Sequence, residues 1–201
     1  MKVVGITGGS GTGKSAIASY FEEKYQAYRI DADKIGHQVI KKGMPAYDLI
    51  IKNFGSTILD EVGEINRKIL GSIVFSDEKK LKLLNSITHP LIISMINHEI
   101  EKCILQNQQY SFILIDGALL IETKIYENID ELWVVYVHLE QRIQRLKKRD
   151  NLSRKQILQR IEKQMSWEIL QQYADRIIDN SGEFIETIIQ CDKIAKEFLH
   201  F

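Results

Sequence analysis

Apolar residues gather in five short runs, separated by longer stretches in which they recur every three or four positions. The runs are Lys2–Thr7, Ala27–Asp31, Phe112–Asp116, Leu132–His138 and a shorter Arg176–Asp179. Three are nearly continuous: Val3-Val4, Phe112-Ile113-Leu114-Ile115 and Trp133-Val134-Val135-Tyr136-Val137. Continuous runs of this length predict strands buried on both faces of a parallel sheet. Between them, Ser15–Tyr25 carries Ile17, Phe21 and Tyr25 four apart, and Leu81–Glu101 and Phe184–Leu199 keep helical spacing. Alternating strand and helix predicts an α/β fold with a doubly wound sheet. Two stretches are too long for simple crossovers, about Lys34–Gln109 and Leu139–Tyr173. Both are helical in pattern and read as insertions above one edge of the sheet, within one domain.

The 201 residues suffice for one α/β domain with such insertions. Lysine plus arginine equals aspartate plus glutamate, 27 each. That balance gives no support to a general nucleic-acid binder, though it leaves room for a local basic patch. Cys103 and Cys191 stand far apart and read as ordinary thiols of a reducing compartment. No apolar run reaches the roughly 18 residues that span a bilayer. Met1–Thr7 reaches glycines too soon for a signal peptide. A cytoplasmic protein with no membrane partner is expected.

Gly8-Gly9-Ser10-Gly11-Thr12-Gly13-Lys14-Ser15 matches G-x-x-x-x-G-K-[ST], directly after a strand pattern and directly before a helical one. Glycines there let backbone N–H groups turn inward around phosphate oxygens, where a Cβ would collide. The following helix points its positive end at the same anion. Lys14 brings a mobile cation to the β- and γ-phosphates, and the Ser15 hydroxyl is a ligand for Mg²⁺. Gly11, Thr12, Gly13, Lys14, Ser15 and Ala16 are therefore the expected ATP-binding positions. A dinucleotide fingerprint fails, because no G-x-G-x-x-G aligns in this loop.

Ligands of α/β sheets bind beyond the carboxyl ends of the strands. Asp31 and Asp33 follow the second strand and Asp116 ends the third. Asp116 suits a Mg²⁺-bound water and Asp33 suits the attacking hydroxyl. The alternative is that Asp31 or Asp33 caps the helix beginning near Lys34, and that Asp116 fixes the turn at Gly117. Arg142, Arg145 and Arg149 share one helical face. Ser153 with Gln156 then forms a capping-box pattern opening a second helix that carries Arg154 and Arg160. Beside a phosphate loop, two such helices suit a lid over polyphosphate; alone, they read as a solvated, salt-bridged hairpin. The histidines show no metal-ligand spacing, and Asp60-Glu61-Val62-Gly63 is expected to be a surface turn.

In order and spacing the chain resembles the dephospho-CoA kinases over nearly its whole length. The matching stretches are Gly5-Ile6-Thr7-Gly8-Gly9, Asp31-Ala32-Asp33 with His37, His89-Pro90-Leu91-Ile92, and Asp116 through Glu122. Gln144-Arg145, Arg149-Asp150, Arg160 and Gln164-Met165 fall on the lid pattern, and Ala174-Asp175 through Ile178-Asp179-Asn180-Ser181-Gly182 closes the match. Departures are Ala118 for a usual proline, Ile121 for a phenylalanine, and Ser166-Trp167-Glu168-Ile169-Leu170 where the family tends to read P-x-x-x-K.

The resemblance implies a P-loop NTPase fold with a five-stranded parallel sheet flanked by helices, a helical acceptor-binding insertion and a helical lid. The core falls at about 1–33, 110–138 and 174–201, the insertion at 34–109 and the lid at 139–173. The implied reaction moves a phosphoryl group from ATP, with Mg²⁺, to the 3′-hydroxyl of dephospho-CoA, giving coenzyme A and ADP. Asp33 becomes the base or orienting carboxylate, and Lys14 and Arg145 the charge stabilisers. Arg149 and Asn180 lie near the nucleotide, while Asp31, His89 and Asp116 serve the acceptor. Rival readings are a P-loop kinase for a nucleoside, nucleotide or shikimate-like acceptor, and a nucleotide switch without an acceptor. The oligomeric state stays open.

Overall fold

The computed structural model describes residues 1–106 and 109–200; the expected 34–109 insertion thus includes two positions, 107 and 108, outside the described residues. Five strands, β1 (Val3–Thr7), β2 (Tyr28–Asp31), β3 (Ile113–Asp116), β4 (Glu131–Tyr136) and β5 (Arg176–Asp179), form one sheet in the order β2-β3-β1-β4-β5. Every pairing is parallel. The central strands read as the pattern predicts: all four residues of β3 and four of the five in β1 are buried. An added Cβ at Gly5 would sit 2.7 Å from Ile129 Cδ1, so a side chain at the centre of β1 would have to displace the packed Ile129, Leu120 and Leu132 methyls.

Helices α1 (Lys14–Tyr25) and α9 (Phe184–Leu199) pack with the sheet. The core between them is aromatic. Phe21, Phe112 and Phe198 surround Trp133, with ring centroids 4.9, 5.8 and 5.5 Å from it. Trp133 is fully buried, and its indole N–H donates to Glu131 Oε2 at 2.7 Å, so its polar end is satisfied. Strand β2 starts one residue later than the apolar run. Gln26 takes a left-handed conformation (φ 52°) and Ala27 N–H still bonds Phe21 O, which closes α1 first.

The chain separates into two compact units, one of residues 1–31 and 103–201, the other of residues 32–102. The second is helical: α2 (Ala32–Gln38), α3 (Pro45–Phe54), α4 (Arg67–Val74) and all but the last three residues of α5 (Glu78–Leu105). Ala46, Tyr47, Ile50, Ile58, Ile65, Leu70 and Val74 form its core. Pro45 opens α3 at a position where its missing N–H costs nothing. The Asn66 side chain caps α4 by accepting from Lys68 and Ile69 N–H. Helix α5 outruns the predicted 81–101 at both ends and carries Pro90 within it. Asp77 holds its start by accepting from Lys79 and Lys80 N–H. Asp60 makes the expected surface turn, accepting from Val62 and Glu64 N–H, with Gly63 at φ 79°.

Three helices lie between β4 and β5: α6 (Leu139–Asp150), α7 (Arg154–Glu162) and α8 (Trp167–Tyr173). Ile143, Leu146 and Ile157 bury the seam between α6 and α7, and Ser153 with Gln156 forms the predicted capping box. Among the described residues no helix is long and apolar enough to cross a membrane.

Candidate active site

Strand β1 is flanked by β3 and β4, with Ile6 opposite Asp116 and Thr7 opposite Val134. The turn from Gly8 to Gly13 therefore opens at the carboxyl edge of the sheet, where α/β folds bind ligands. Gly13 has φ 87° and ψ 12°, and an added Cβ would lie 2.3 Å from Asn180 Nδ2. Only glycine fits both demands. The loop braces itself through Thr12, whose N–H and Oγ1 both donate to Gly9 O at 3.2 and 2.9 Å. Asn180, just past β5, donates from Nδ2 to Thr12 O at 2.8 Å and accepts from Thr187 Oγ1 of α9 at 2.9 Å. Buried hydrogen bonds thus set the loop before a ligand arrives. Lys14 and Ser15 are the first two residues of α1, at the positive end of its helix dipole, where anions bind favourably. Ala16 N–H is already used by Gly13 O at 3.0 Å.

Asp116 sits between two cations. Lys14 Nζ donates to its Oδ1, and Arg29 Nη2 donates to its Oδ2 at 2.6 Å. Its side chain is 3% exposed. These partners, rather than the turn at Gly117, are what Asp116 serves. Gly117 N–H bonds Ile6 O instead. Asp31 is in register with Asp116 on the neighbouring strand, so two carboxylates end adjacent strands.

The segment between β4 and β5 splits between its two readings. Arg142 Nε donates to Ser10 O at 3.1 Å and its Nη2 to Gln164 Oε1 at 3.0 Å. Gln164 grips the same residue, its Oε1 accepting from Ser10 N–H and its Nε2 donating to Ser10 Oγ, both at 3.0 Å. Arg145 donates to Thr12 O at 3.4 Å and to Asn180 O at 2.9 Å. Burial pushes the Arg142 guanidinium below its ordinary range. Those three side chains close on the phosphate loop. Arg149 instead pairs with Asp150 at 2.7 Å, as Arg160 does at 2.8 Å, and Arg154 pairs with Glu140 at 2.6 Å. All are solvent-side ion pairs. Leu170 stands in α8 where the family's lysine would fall, and Trp167, which opens that helix, packs on Tyr136 with ring centroids 4.4 Å apart.

A cavity of about 70 Å³ lies beside the loop, lined by Thr7, Gly8, Ala118, Glu122, Gln164 and Met165 among others. Burial pushes the Glu122 carboxyl up from its usual value. In the helical unit, Asp33 is the second residue of α2, inside its first turn. His89 lies half-buried in α5, and burial pushes its imidazole down.

Of the residues expected at the site, the structure brings together Gly11 through Ala16, Asp31, Asp116, Arg145 and Asn180 in one unit, and sets Asp33 and His89 in the other. Sequence reasoning missed Arg29, the grip of Arg142 and Gln164 on Ser10, and the support of Asn180 by Thr187. The available signal for Arg29 was its place two residues before Asp31, hence on the same face of a strand.

The dephospho-CoA kinase family model matches residues 2–186. A dephospho-CoA kinase of Aquifex aeolicus is 42% identical over 197 residues, 98% of this chain and 97% of that protein. Among solved structures, a dephospho-CoA kinase from Campylobacter jejuni superposes with a TM-score of 0.71 at 28% identity, covering 100% of this chain and 98% of that one. TT1252 from Thermus thermophilus shares the fold at a TM-score of 0.81 and 23% identity, covering 98% and 97%.

Proposed function

The chain belongs to the dephospho-CoA kinase family, and on that premise we propose how its residues divide the work. It phosphorylates the 3′-hydroxyl of dephospho-CoA with ATP, giving coenzyme A and ADP, the last step of coenzyme A synthesis. The supporting observation is the preset phosphate loop with Lys14 at its exit and Arg142, Arg145 and Gln164 closing on it.

In this reading Gly11–Ser15 hold the ATP phosphates, and Ala16, its N–H already bonded to Gly13 O, supports that turn instead. Lys14 leaves Asp116 for the β- and γ-phosphates. Asp33 accepts the proton of the acceptor hydroxyl as its oxygen attacks the γ-phosphorus. The bond from that phosphorus to the bridging oxygen breaks, and ADP leaves. Arg145 stabilises the charge spread over the transferring group. Asn180 shapes the loop, and Arg149 reaches the nucleotide by exchanging its Asp150 partner. Asp31, His89 and Asp116 serve the acceptor side. Residues 32–102 hold dephospho-CoA, and 139–173 form the lid.

A P-loop kinase using ATP generally needs a divalent metal ion. Ser15 at the start of α1 and the carboxylates of Asp31 and Asp116 are hard oxygen donors, which fit Mg²⁺. Among the described residues no group of three His, Cys, Asp or Glu is placed to hold a metal alone. Ser15 and the ATP phosphates would therefore be its main ligands. When bound, the ion supplies charge neutralisation at the β- and γ-oxygens. A cytoplasmic enzyme without nucleic-acid or membrane partners completes the reading, in keeping with 27 basic and 27 acidic residues.

Purified protein with ATP and Mg²⁺ should release ADP strongly with dephospho-CoA and little with adenosine monophosphate, uridine or shikimate. Robust turnover of one of these, with none on dephospho-CoA, would overturn the acceptor.

A further inference from the structure

Arg29 has no part in the reading above, yet it contacts the centre of the site. It lies on β2, two residues before Asp31, and so projects to the same face of the sheet as Asp31. Leu114 is its in-register counterpart on β3, and Asp116 is that of Asp31. From there Arg29 Nη2 reaches Asp116 Oδ2 at 2.6 Å, and Nη1 donates to Ser19 Oγ of α1 at 3.0 Å. Glu22 Oε2 lies 3.7 Å from Nη1, on a half-exposed side chain. Asp116 is thus a buried carboxylate with one cation on each oxygen, Lys14 and Arg29.

The two cations are not equivalent. Lys14 belongs to the phosphate loop, and a phosphate-loop lysine is needed at the β- and γ-phosphates. When it turns there, Asp116, only 3% exposed, loses one of its two cationic partners. A buried carboxylate left unpaired is strongly unfavourable. Without a second cation, Asp116 would hold Lys14 back from ATP. Arg29 comes from a strand rather than from the loop, so its grip does not depend on where Lys14 points. Its Nε is buried with no hydrogen-bond partner among the described residues. A side chain kept only to fill that space would be better apolar, since an unmet buried donor destabilises.

We propose that Arg29 is a positioning residue for phosphoryl transfer: it holds Asp116 in place and balances its charge, which releases Lys14 to the phosphates of ATP. The inference rests on the roles given above to Lys14 and Asp116.

Calorimetric titration with Mg²⁺ and a non-hydrolysable ATP analogue tests it on five folded variants: Arg29→Met, Arg29→Lys, Asp116→Asn, Arg29→Met with Asp116→Asn, and Lys14→Ala. Arg29→Met should weaken nucleotide binding about tenfold, because Lys14 now stays with Asp116. Removing the carboxylate as well should restore most of that loss, to within about threefold of Asp116→Asn alone. Arg29→Lys should recover part of it. A merely structural arginine would lower thermal stability without this coupling. Should Arg29→Met fail to fold, Arg29→Gln carries the same comparison. Wild-type affinity in Arg29→Met or Arg29→Gln, or an equal loss with and without the Asp116 carboxylate, overturns the proposal. Lys14→Ala separates the two failures. If it binds nucleotide as wild type does, the role of Lys14 itself is wrong. If it loses nucleotide while Arg29→Met keeps it, only the role of Arg29 is wrong.

Discussion

Asp33 illustrates how one carboxylate can carry two roles that substitution separates. It lies inside the first turn of α2, two residues beyond the end of β2. There a negative charge interacts with the helix dipole, worth at most about 1 kcal/mol. Asp33→Asn keeps the shape and loses the charge and the basicity, so melting should shift little. Turnover should fall roughly a hundredfold to ten-thousandfold if Asp33 takes the hydroxyl proton. Nucleotide affinity should hold, since the loop and Lys14 are intact. A folded Asp33→Asn enzyme making coenzyme A at near-wild-type rate would move the base to Asp31 or Asp116. His89 gives a pH-dependent test. Burial lowers its pKa from the ordinary 6.5, so the unfolded chain binds the proton more readily than the folded one. Its contribution to stability is complete above pH 6.5 and is lost as pH falls through the lowered value. Wild type should therefore lose more melting temperature between pH 7.5 and 5 than His89→Asn does. Equal losses would remove His89 from the balance. At this scale legibility depended on contiguity. Gly8 through Ser15 is a single run and was readable at once. Arg29 meets Asp116 only through the register of β2 on β3, which no linear pattern records.

The helices between β4 and β5 show why charge spacing alone could not choose between a lid and a solvated hairpin. Arg142, Arg145 and Arg149 do share a face, but they are spread along α6 (Leu139–Asp150). Arg142 and Arg145 end on Ser10, Thr12 and Asn180. Arg149 lies at the last turn, where Asp150 takes it. The capping box at Ser153 was legible because its two partners are three residues apart; the Gln164–Ser10 bonds span 154 residues and were not. The division has a kinetic consequence. Arg145→Ala should lower kcat more than it raises KM for dephospho-CoA, because its charge matters most once phosphoryl transfer begins. Arg149→Ala should change stability by less than about 0.5 kcal/mol, as exposed pairs usually do. Unchanged kinetics in Arg145→Ala would remove Arg145 from phosphoryl transfer and leave it a brace for Thr12 and Asn180.

Over the whole molecule, strand count, order of elements and parallel class were legible, because buried parallel strands leave continuous apolar runs. The full length of α5 was not, because Pro90 and polar residues at 78–80 interrupt the pattern while Asp77 starts the helix through side-chain bonds. The same burial that made the strands visible provides a test of cooperativity. Cys103 and Cys191 are free thiols in the sheet-containing unit, each 1% exposed. Burial raises both pKa values, that of Cys191 to about 12, so neither forms the reactive thiolate near pH 8 while folded. Modification by a disulfide reagent must then await opening. If the unit opens as one, both thiols react at a common rate, and that rate tracks the opening equilibrium. A ligand bound only by the folded state lowers that equilibrium by the factor 1 + [L]/Kd, so nucleotide with Mg²⁺ at 100 times Kd should slow both about a hundredfold. Lys14→Ala, lacking the phosphate contact, should show little of this protection. Mass-resolved labelling of each cysteine, with and without nucleotide, makes the measurement. Faster, unprotected labelling of Cys103 alone would mean that the end of α5 opens separately. Equal labelling of both with no ligand effect in the wild type would mean that nucleotide does not bind the folded unit at all, and the phosphate-loop reading would fall with it.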